Sequence, residues 1–146
     1  MGINSVWMGL ACLGLVMACA ADPDPTRMTS VIERRASSPD AKREAILVHR
    51  SYRAALLSDQ YFVMVGEAGT LDSAAVWSKH LRERSVFRAT WAANVALAWT
   101  ADDTLEVSCR ERDKCTLTRI DIMARDEHAG STTILYRGIP PLAEGL

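Results

Sequence analysis

The sequence predicts an α+β fold that is mainly β, with a small antiparallel sheet or meander and one helix, placed after a leader and a tether. The 146 residues are 49% hydrophobic and 24% charged, with a net charge of -1, as in ordinary globular domains. Short runs rich in β-branched and aromatic residues recur between turn signals after Pro39. One stretch, Thr70 to Leu81, has an acidic residue near its start and basic residues near its end, which suits a helix dipole.

The predicted strands follow one another at short intervals. Ala45 to His49 and Tyr61 to Val65 are compact apolar runs, typical of buried strands. Alternating or β-rich patterns continue over residues 86–91, 95–99, 105–109, 115–124 and 132–136. Antiparallel neighbours joined by short turns are the simplest topology for such a series.

The first 21 residues contain no charged side chain. Their apolar stretch, Val6 to Ala18, has the length of a signal-peptide core and is shorter than the roughly 20 residues that cross a bilayer. It ends in Val16-Met17-Ala18-Cys19, which resembles the lipobox of bacterial lipoproteins, and small uncharacterised lipoproteins are the group that the chain resembles. The resemblance implies a signal peptide over 1–18, acylation of Cys19 with palmitate-type chains, and attachment to a membrane through that lipid.

Two other interpretations of the leader stay open. Ala18-Cys19-Ala20 also has the form of an ordinary cleavage site, which would release a soluble exported protein, and the uncharged run could remain uncleaved as an anchor. For a lipoprotein, Ala20 rather than Asp after the cysteine implies sorting to the outer membrane. The expected location is therefore the bacterial cell envelope, as an outer membrane lipoprotein facing the periplasm.

A polar segment with two X-Pro steps follows the leader and cannot start a packed element. We therefore expect the lipidated cysteine and a tether over 19–37, and a single β-rich domain over 38–146. Within the tether, Ser30 to Glu33 has the form of a capping box that could open a short helix before Pro39 ends it.

Cys109 and Cys115 are predicted to form a disulfide. Leu105, Val107 and Cys109 share one face of a predicted strand, Cys115 and Leu117 share one face of the next, and five polar residues separate the two cysteines. Opposed positions on antiparallel strands bring Cβ atoms to ~4.5–5.5 Å, and an exported compartment is oxidising. Two free core thiols are the alternative, whereas no further Cys or His accompanies the pair at metal-ligand spacing.

Ser38-Pro39-Asp40-Ala41-Lys42 and the apolar run that follows resemble the S-P-D-G-K turn and strand of propeller proteins of the Tol-Pal type. Residues 98–107 resemble a looser copy. Ala41 stands where that family has Gly, and a chain of this length cannot close a propeller. The resemblance implies a turn followed by a strand, with no activity attached.

Catalytic and ligand-binding motifs are missing from the sequence. His49, His80 and His128 lie in a predicted strand, helix and turn with no metal-ligand spacing, and there is no nucleophile elbow, phosphate loop or dinucleotide fingerprint. The mixed, nearly neutral charge disfavours a nucleic-acid partner. We therefore assign no catalytic residue, metal ligand or cofactor.

The expected role is binding or interaction in the envelope, with an envelope protein as a possible partner. Two other classes stay open: an inhibitor or immunity-type lipoprotein, and an exported hydrolase with an unrecognised site. The basic stretch Lys79 to Arg84 could contact anionic head groups, although a solvated helix end explains it without a partner.

Overall fold

The structure, a computed structural model, describes residues 28–53, 58–72, 81–90, 92, 94–109 and 122–142. These residues form nine strands and one short helix. The strands are β1 (Met28–Ser37), β2 (Arg43–Tyr52), β3 (Gln60–Glu67), β4 (Ser85–Thr90), β5 (Val95–Ala101), β6 (Thr104–Cys109), β7 (Ile122–Arg125), β8 (His128–Ala129) and β9 (Thr132–Arg137), and the helix α1 is Leu81–Arg84, directly before β4. The predicted α+β class, mainly β with antiparallel sheets and one helix, is confirmed.

The strands form two sheets. A five-stranded sheet has the order β1-β2-β3-β4-β7 and is antiparallel throughout, and a four-stranded sheet has the order β5-β6-β9-β8. Within the second sheet β6 and β9 are parallel. This pair departs from a simple meander, because the chain returns to the first sheet for β7 before it pairs β9 beside β6. A parallel pair always needs such a crossover.

The five-stranded sheet is covered on both faces. One face packs against the four-stranded sheet in the main core, and the opposite face forms a smaller cluster with Leu71 and Leu81. In β2 the four successive residues Ala45 to Val48 are each 0% exposed. Burial on both faces explains why β2 and β3 are continuous apolar runs in the sequence rather than alternating ones. Each large apolar side chain buried in this way stabilises the fold by ~1.5–3 kcal/mol.

Two aromatic side chains close the sides of the sandwich. Trp99 Nε1 donates a hydrogen bond to the carbonyl of Ala36 at 3.0 Å, which joins β5 to β1. On the other side the Tyr136 hydroxyl lies 3.0 Å from the carbonyl oxygen of Val86 and 2.8 Å from that of Asp126. Burial raises the pKa of Tyr136 far above its ordinary value, so the hydroxyl keeps the proton that it donates.

The domain begins earlier than the sequence predicts. The tether was expected over 19–37, but Met28–Ser37 is strand β1 and pairs with β2 along its length, so a boundary at residue 38 is wrong. The capping-box helix at Ser30 does not form, because cross-strand pairing with β2 and burial of the Ser30 side chain favour the strand. Residues 1–27, which include the predicted signal peptide, lie outside the described residues.

The predicted helix over 70–81 is described only at its ends. Residues 70–72 are not helical, 73–80 lie outside the described residues, and the described helix begins at Leu81. The predicted strand over 115–124 is described from Ile122 onward, where β7 begins.

The predicted turn at Ser38 to Lys42 joins β1 to β2. The Ser38 hydroxyl donates to an Asp40 carboxylate oxygen at 2.6 Å, and the Lys42 amide donates to the same oxygen at 3.1 Å. These two hydrogen bonds hold the pKa of the Asp40 carboxyl below its ordinary value. Ala41 has a φ of 57°, in the left-handed region that favours glycine.

We predict that Ala41→Gly stabilises the domain by up to about 1 kcal/mol. The left-handed region costs a residue with a Cβ about 1–2 kcal/mol, and the greater unfolded-state entropy of Gly offsets part of that gain. Urea unfolding of both proteins measures the difference. Ala68→Gly, in the turn after β3, is the control and should destabilise, since Ala41 is the one non-glycine residue with positive φ among the described residues. A loss of stability in Ala41→Gly as large as in the control would contradict this account.

Candidate functional site

A cleft of about 550 Å³ opens where the two sheets meet, at the end of the sandwich that holds the start of β2 and the end of β3. It draws residues from β3, from the junction of α1 and β4, and from the segment that joins β7 to β9. Its lining consists of Arg43, Val65, Gly66, Glu67, Glu83, Arg84, Ser85, Val86, Asp126, His128, Ala129, Gly130, Ser131 and Thr132. The cleft is therefore built by both sheets together.

Arg43 joins the two sheets at one edge of the cleft. Its Nη1 donates to the carbonyl of Asp102 at 2.7 Å, and its Nη2 donates to the hydroxyl of Ser131 at 2.9 Å. Asp102 lies in the turn between β5 and β6, and Ser131 lies in the turn before β9. One guanidinium on the five-stranded sheet thus holds two turns of the four-stranded sheet in place.

The cleft carries both signs of charge. Glu67, Glu83 and Asp126 supply carboxylates, Arg84 supplies a second guanidinium beside Arg43, and all but Arg43 are exposed. His128 adds an imidazole to the same lining. Such a surface fits a polar ligand that itself carries groups of both signs, because each group then meets an opposite charge.

Glu44 supports the wall of the cleft from behind. It is 4% exposed, and its carboxylate accepts hydrogen bonds from Arg35 and from the backbone amides of Gly69 at 3.1 Å and Leu71 at 3.0 Å. Burial raises the pKa of Glu44, but the bonds from these three donors outweigh it and leave the pKa below its ordinary value. The ionised carboxylate therefore holds the turn after β3, next to the cleft residue Glu67.

A second cluster lies at the opposite end of the sandwich, around His49. His49 Nδ1 lies 3.2 Å from a carboxylate oxygen of Glu33, and its Nε2 lies 3.0 Å from one of Asp59. The ring also stacks on Tyr61, with the centroids 4.6 Å apart and the planes 4° from parallel. Each ring nitrogen of His49 therefore faces a carboxylate oxygen, one from β1 and one from the residue before β3.

This arrangement leaves His49 poorly suited to take a proton from a substrate, because both ring nitrogens face carboxylates. Burial, together with the charges of Glu33 and Asp59, raises the pKa of the Tyr61 phenol. The cluster therefore joins β1, β2 and the start of β3 rather than presenting a free base.

This cluster is not among the sites that the sequence predicts. His49 carries no recognised spacing to Asp59, ten residues later, although the two side chains are in contact. The register of the β2–β3 hairpin would indicate this contact. His49 is the cross-strand partner of Tyr61. Asp59 precedes Tyr61 by two residues and therefore lies on the same face as His49.

The predicted site residues are described only in part. Cys109 is disulfide-bonded, whereas its predicted partner Cys115 and the predicted lipidation site Cys19 lie outside the described residues, so the pairing and the acylation stay predictions. His80 also lies outside them. Within the described ranges, no group of three or more His, Cys, Asp or Glu residues could hold a metal ion. No helix in that part of the chain is long and apolar enough to cross a membrane.

We predict that Glu44→Gln destabilises the domain by about 2 kcal/mol at pH 7. The Gln side chain loses the half-buried ion pair with Arg35 and the charge that strengthens the hydrogen bonds from the Gly69 and Leu71 amides. Because the pKa of Glu44 is lowered in the folded state, its stabilisation is complete above the unfolded value of about 4.5 and is lost as the pH falls through the lower folded value. The stability gap between wild type and variant should therefore close in strong acid.

Urea unfolding at a series of pH values measures that gap. Glu106→Gln is the matched control, because Glu106 pairs at 3.0 Å with Arg137, whose side chain is 74% exposed. An exposed partner makes that loss small, up to about 1 kcal/mol. Equal losses in the two variants, or a gap for Glu44 that does not change with pH, would contradict the assignment.

The chain was compared with family models, curated proteins and solved structures. None of the three comparisons found a match.

Proposed function

We propose that this chain is an envelope lipoprotein whose small domain binds a polar ligand, and that lipid on Cys19 holds it on a bacterial outer membrane, facing the periplasm. The observation that supports binding is the cleft between the sheets. Its volume of about 550 Å³ lies within the range of about 300–1,000 Å³ that is usual for sites of small ligands. The lipobox-like Val16 to Cys19 supports the anchor.

The contacts of the two cleft serines favour binding over hydrolysis by a serine nucleophile. A serine nucleophile needs a base that accepts its proton. The Ser85 hydroxyl donates instead to the carbonyl of Arg82 at 3.0 Å, and the Ser131 hydroxyl accepts from Arg43. Neither contact activates an oxygen for attack, so an exported hydrolase is the weaker alternative.

The ligand class follows from the charges of the cleft. Carboxylates of Glu67 and Asp126 suit an ammonium or guanidinium group, and the guanidinium of Arg84 suits a carboxylate. A molecule with free amino and carboxyl groups, such as an amino acid or a short peptide, meets both requirements. An envelope protein could present the same groups on an exposed chain end.

The anchor is tested by Cys19→Ala. The variant should lose incorporation of labelled palmitate and should move from the membrane fraction to the soluble fraction, because the acyl chains supply the attachment. Cys12→Ala is the matched control, since Cys12 lies in the same apolar leader but outside the lipobox-like segment. The control should be labelled and retained like wild type. Equal labelling of the two variants would show that Cys19 is not the acylated residue.

Binding is tested with a panel of free amino acids and two- to four-residue peptides, scored by the shift in thermal unfolding. For the tightest member, Arg84→Glu should weaken binding at least tenfold, because the variant repels the carboxylate that the wild type attracts. Arg82→Glu is the matched control: it makes the same charge change on the same exposed helix turn, outside the cleft lining. Its affinity should stay within about twofold of wild type. Equal losses in both variants, or no binding by any panel member, would count against this site.

A further inference from the structure

We infer that the domain stands on the membrane with the Met28 end of its sandwich toward the bilayer and the cleft turned away, so that the cleft takes a water-soluble ligand rather than a lipid of the anchoring membrane. The inference rests on the proposed attachment at Cys19. It follows from the length of the tether, the direction of β1 and the charges at the two ends of the sandwich.

The tether limits how far one end of β1 can lie from the membrane. Met28 follows Cys19 by nine residues. A chain of that length spans at most about 30 Å when fully extended. The proposed attachment therefore acts on the domain at a single point, the first residue of an edge strand, within about 30 Å of the membrane.

β1 then runs away from that point along the whole sandwich. It has ten residues, and a strand rises ~3.3 Å per residue, so its two ends lie about 30 Å apart. In the register with β2, Met28 pairs with Tyr52 and Ser37 pairs with Glu44. Tyr52 therefore lies at the attached end, whereas Arg43 and the cleft lie at the far end.

The charges at the far end oppose tilting of the cleft onto the bilayer. Among the described residues, the exposed acidic side chains of this end outnumber its basic ones. The acidic residues are Asp40, Glu67, Glu83, Asp102, Asp103, Asp126 and Glu127, and the basic residues are Arg35, Lys42, Arg43, Arg82 and Arg84, with His128 beside them. An anionic lipid surface repels such an end within a Debye length of about 10 Å. Among the described residues of the attached end, the exposed Arg53 and Arg137 offset the carboxylates of Glu33 and Asp59, so this end has no such acidic excess. Tyr52 is half-buried there, and tyrosine tolerates the head-group region.

The test places a fluorophore on the lipidated full chain in vesicles of phosphatidylethanolamine and phosphatidylglycerol that contain head-group spin-labelled lipid. Arg53→Cys carries the probe at the attached end, and Lys42→Cys carries it at the cleft end. Both positions are exposed and basic, so the two variants make the same charge change. Quenching at position 53 should exceed quenching at position 42 at least threefold. Equal quenching, or stronger quenching at position 42, would overturn the inference.

Two further measurements separate the possible failures. Flotation with the vesicles, measured first, reports the lipid attachment itself: a chain that fails to float refutes the proposed anchor and, with it, the orientation. For a chain that floats, nine Gly and Ser residues inserted after Thr26 should reduce quenching at position 53 without loss of flotation. Arg84→Glu should leave both quenching values unchanged, and a change would show that the cleft contacts lipid.

Discussion

The cleft depends on two successive residues at the start of β2. Neighbouring residues of a strand point to opposite faces of a sheet, so Arg43 and Glu44 act on different layers. Arg43 donates hydrogen bonds to Asp102 and Ser131, in two turns of the four-stranded sheet. Glu44 accepts hydrogen bonds from two backbone amides of the segment after β3. Both walls of the cleft are thereby fixed from one point on the backbone, which removes the cost of ordering them when a ligand binds.

This junction is stable because the strand behind it is buried on both faces. Ala45 and Leu47 belong to the main core, and Ile46 and Val48 belong to the smaller cluster on the other side. Glycine also suits the close approach of the turn to the sheet. A Cβ at Gly66 would lie 3.1 Å from both Leu71 Cδ2 and Thr70 Oγ1, so these two side chains would have to shift by a few tenths of an ångström. Apolar burial thus sets the position of the strand, and the polar contacts of its first two residues then set the position of the turns.

The sequence predicted those parts of the fold that depend on local chemistry. Strands buried on both faces are marked by composition alone, and the turn before β2 is marked by Ser38, Pro39 and Asp40, whose turn preferences are local. β1 was not predicted for two reasons. It is an edge strand with few apolar residues, and a bulge after Ile32 interrupts its alternation. Such a strand is defined by its partner β2 rather than by its own residues.

The candidate site could not be predicted in the same way, because it depends on how distant segments meet. The cleft forms because β9 pairs in parallel with β6. This pairing brings Ser131, in the turn before β9, into contact with Arg43, which is 88 residues earlier in the sequence. The His49 cluster depends on the register between β2 and β3. The apolar pattern of the two strands indicates which side chains are buried, but it does not fix which residue pairs with which. The charges were visible in the sequence, whereas their convergence was not.

Under the attachment proposed at Cys19, the position of β1 also bears on how the cleft keeps its shape. A pull through that attachment would enter at Met28 and pass along an edge strand, which has a ladder of hydrogen bonds on one side only. Three sets of contacts connect β1 to the rest of the domain. These are the backbone pairing with β2, the contact between the side chains of Glu33 and His49, and the hydrogen bond that Trp99 donates to the Ala36 carbonyl. The first two would pass such a pull into β2 and, through the stacked Tyr61, into β3, and the third would pass it to the four-stranded sheet. A pull at Met28 would thereby be shared among β2, β3 and the four-stranded sheet, rather than passing to Arg43 and the cleft alone.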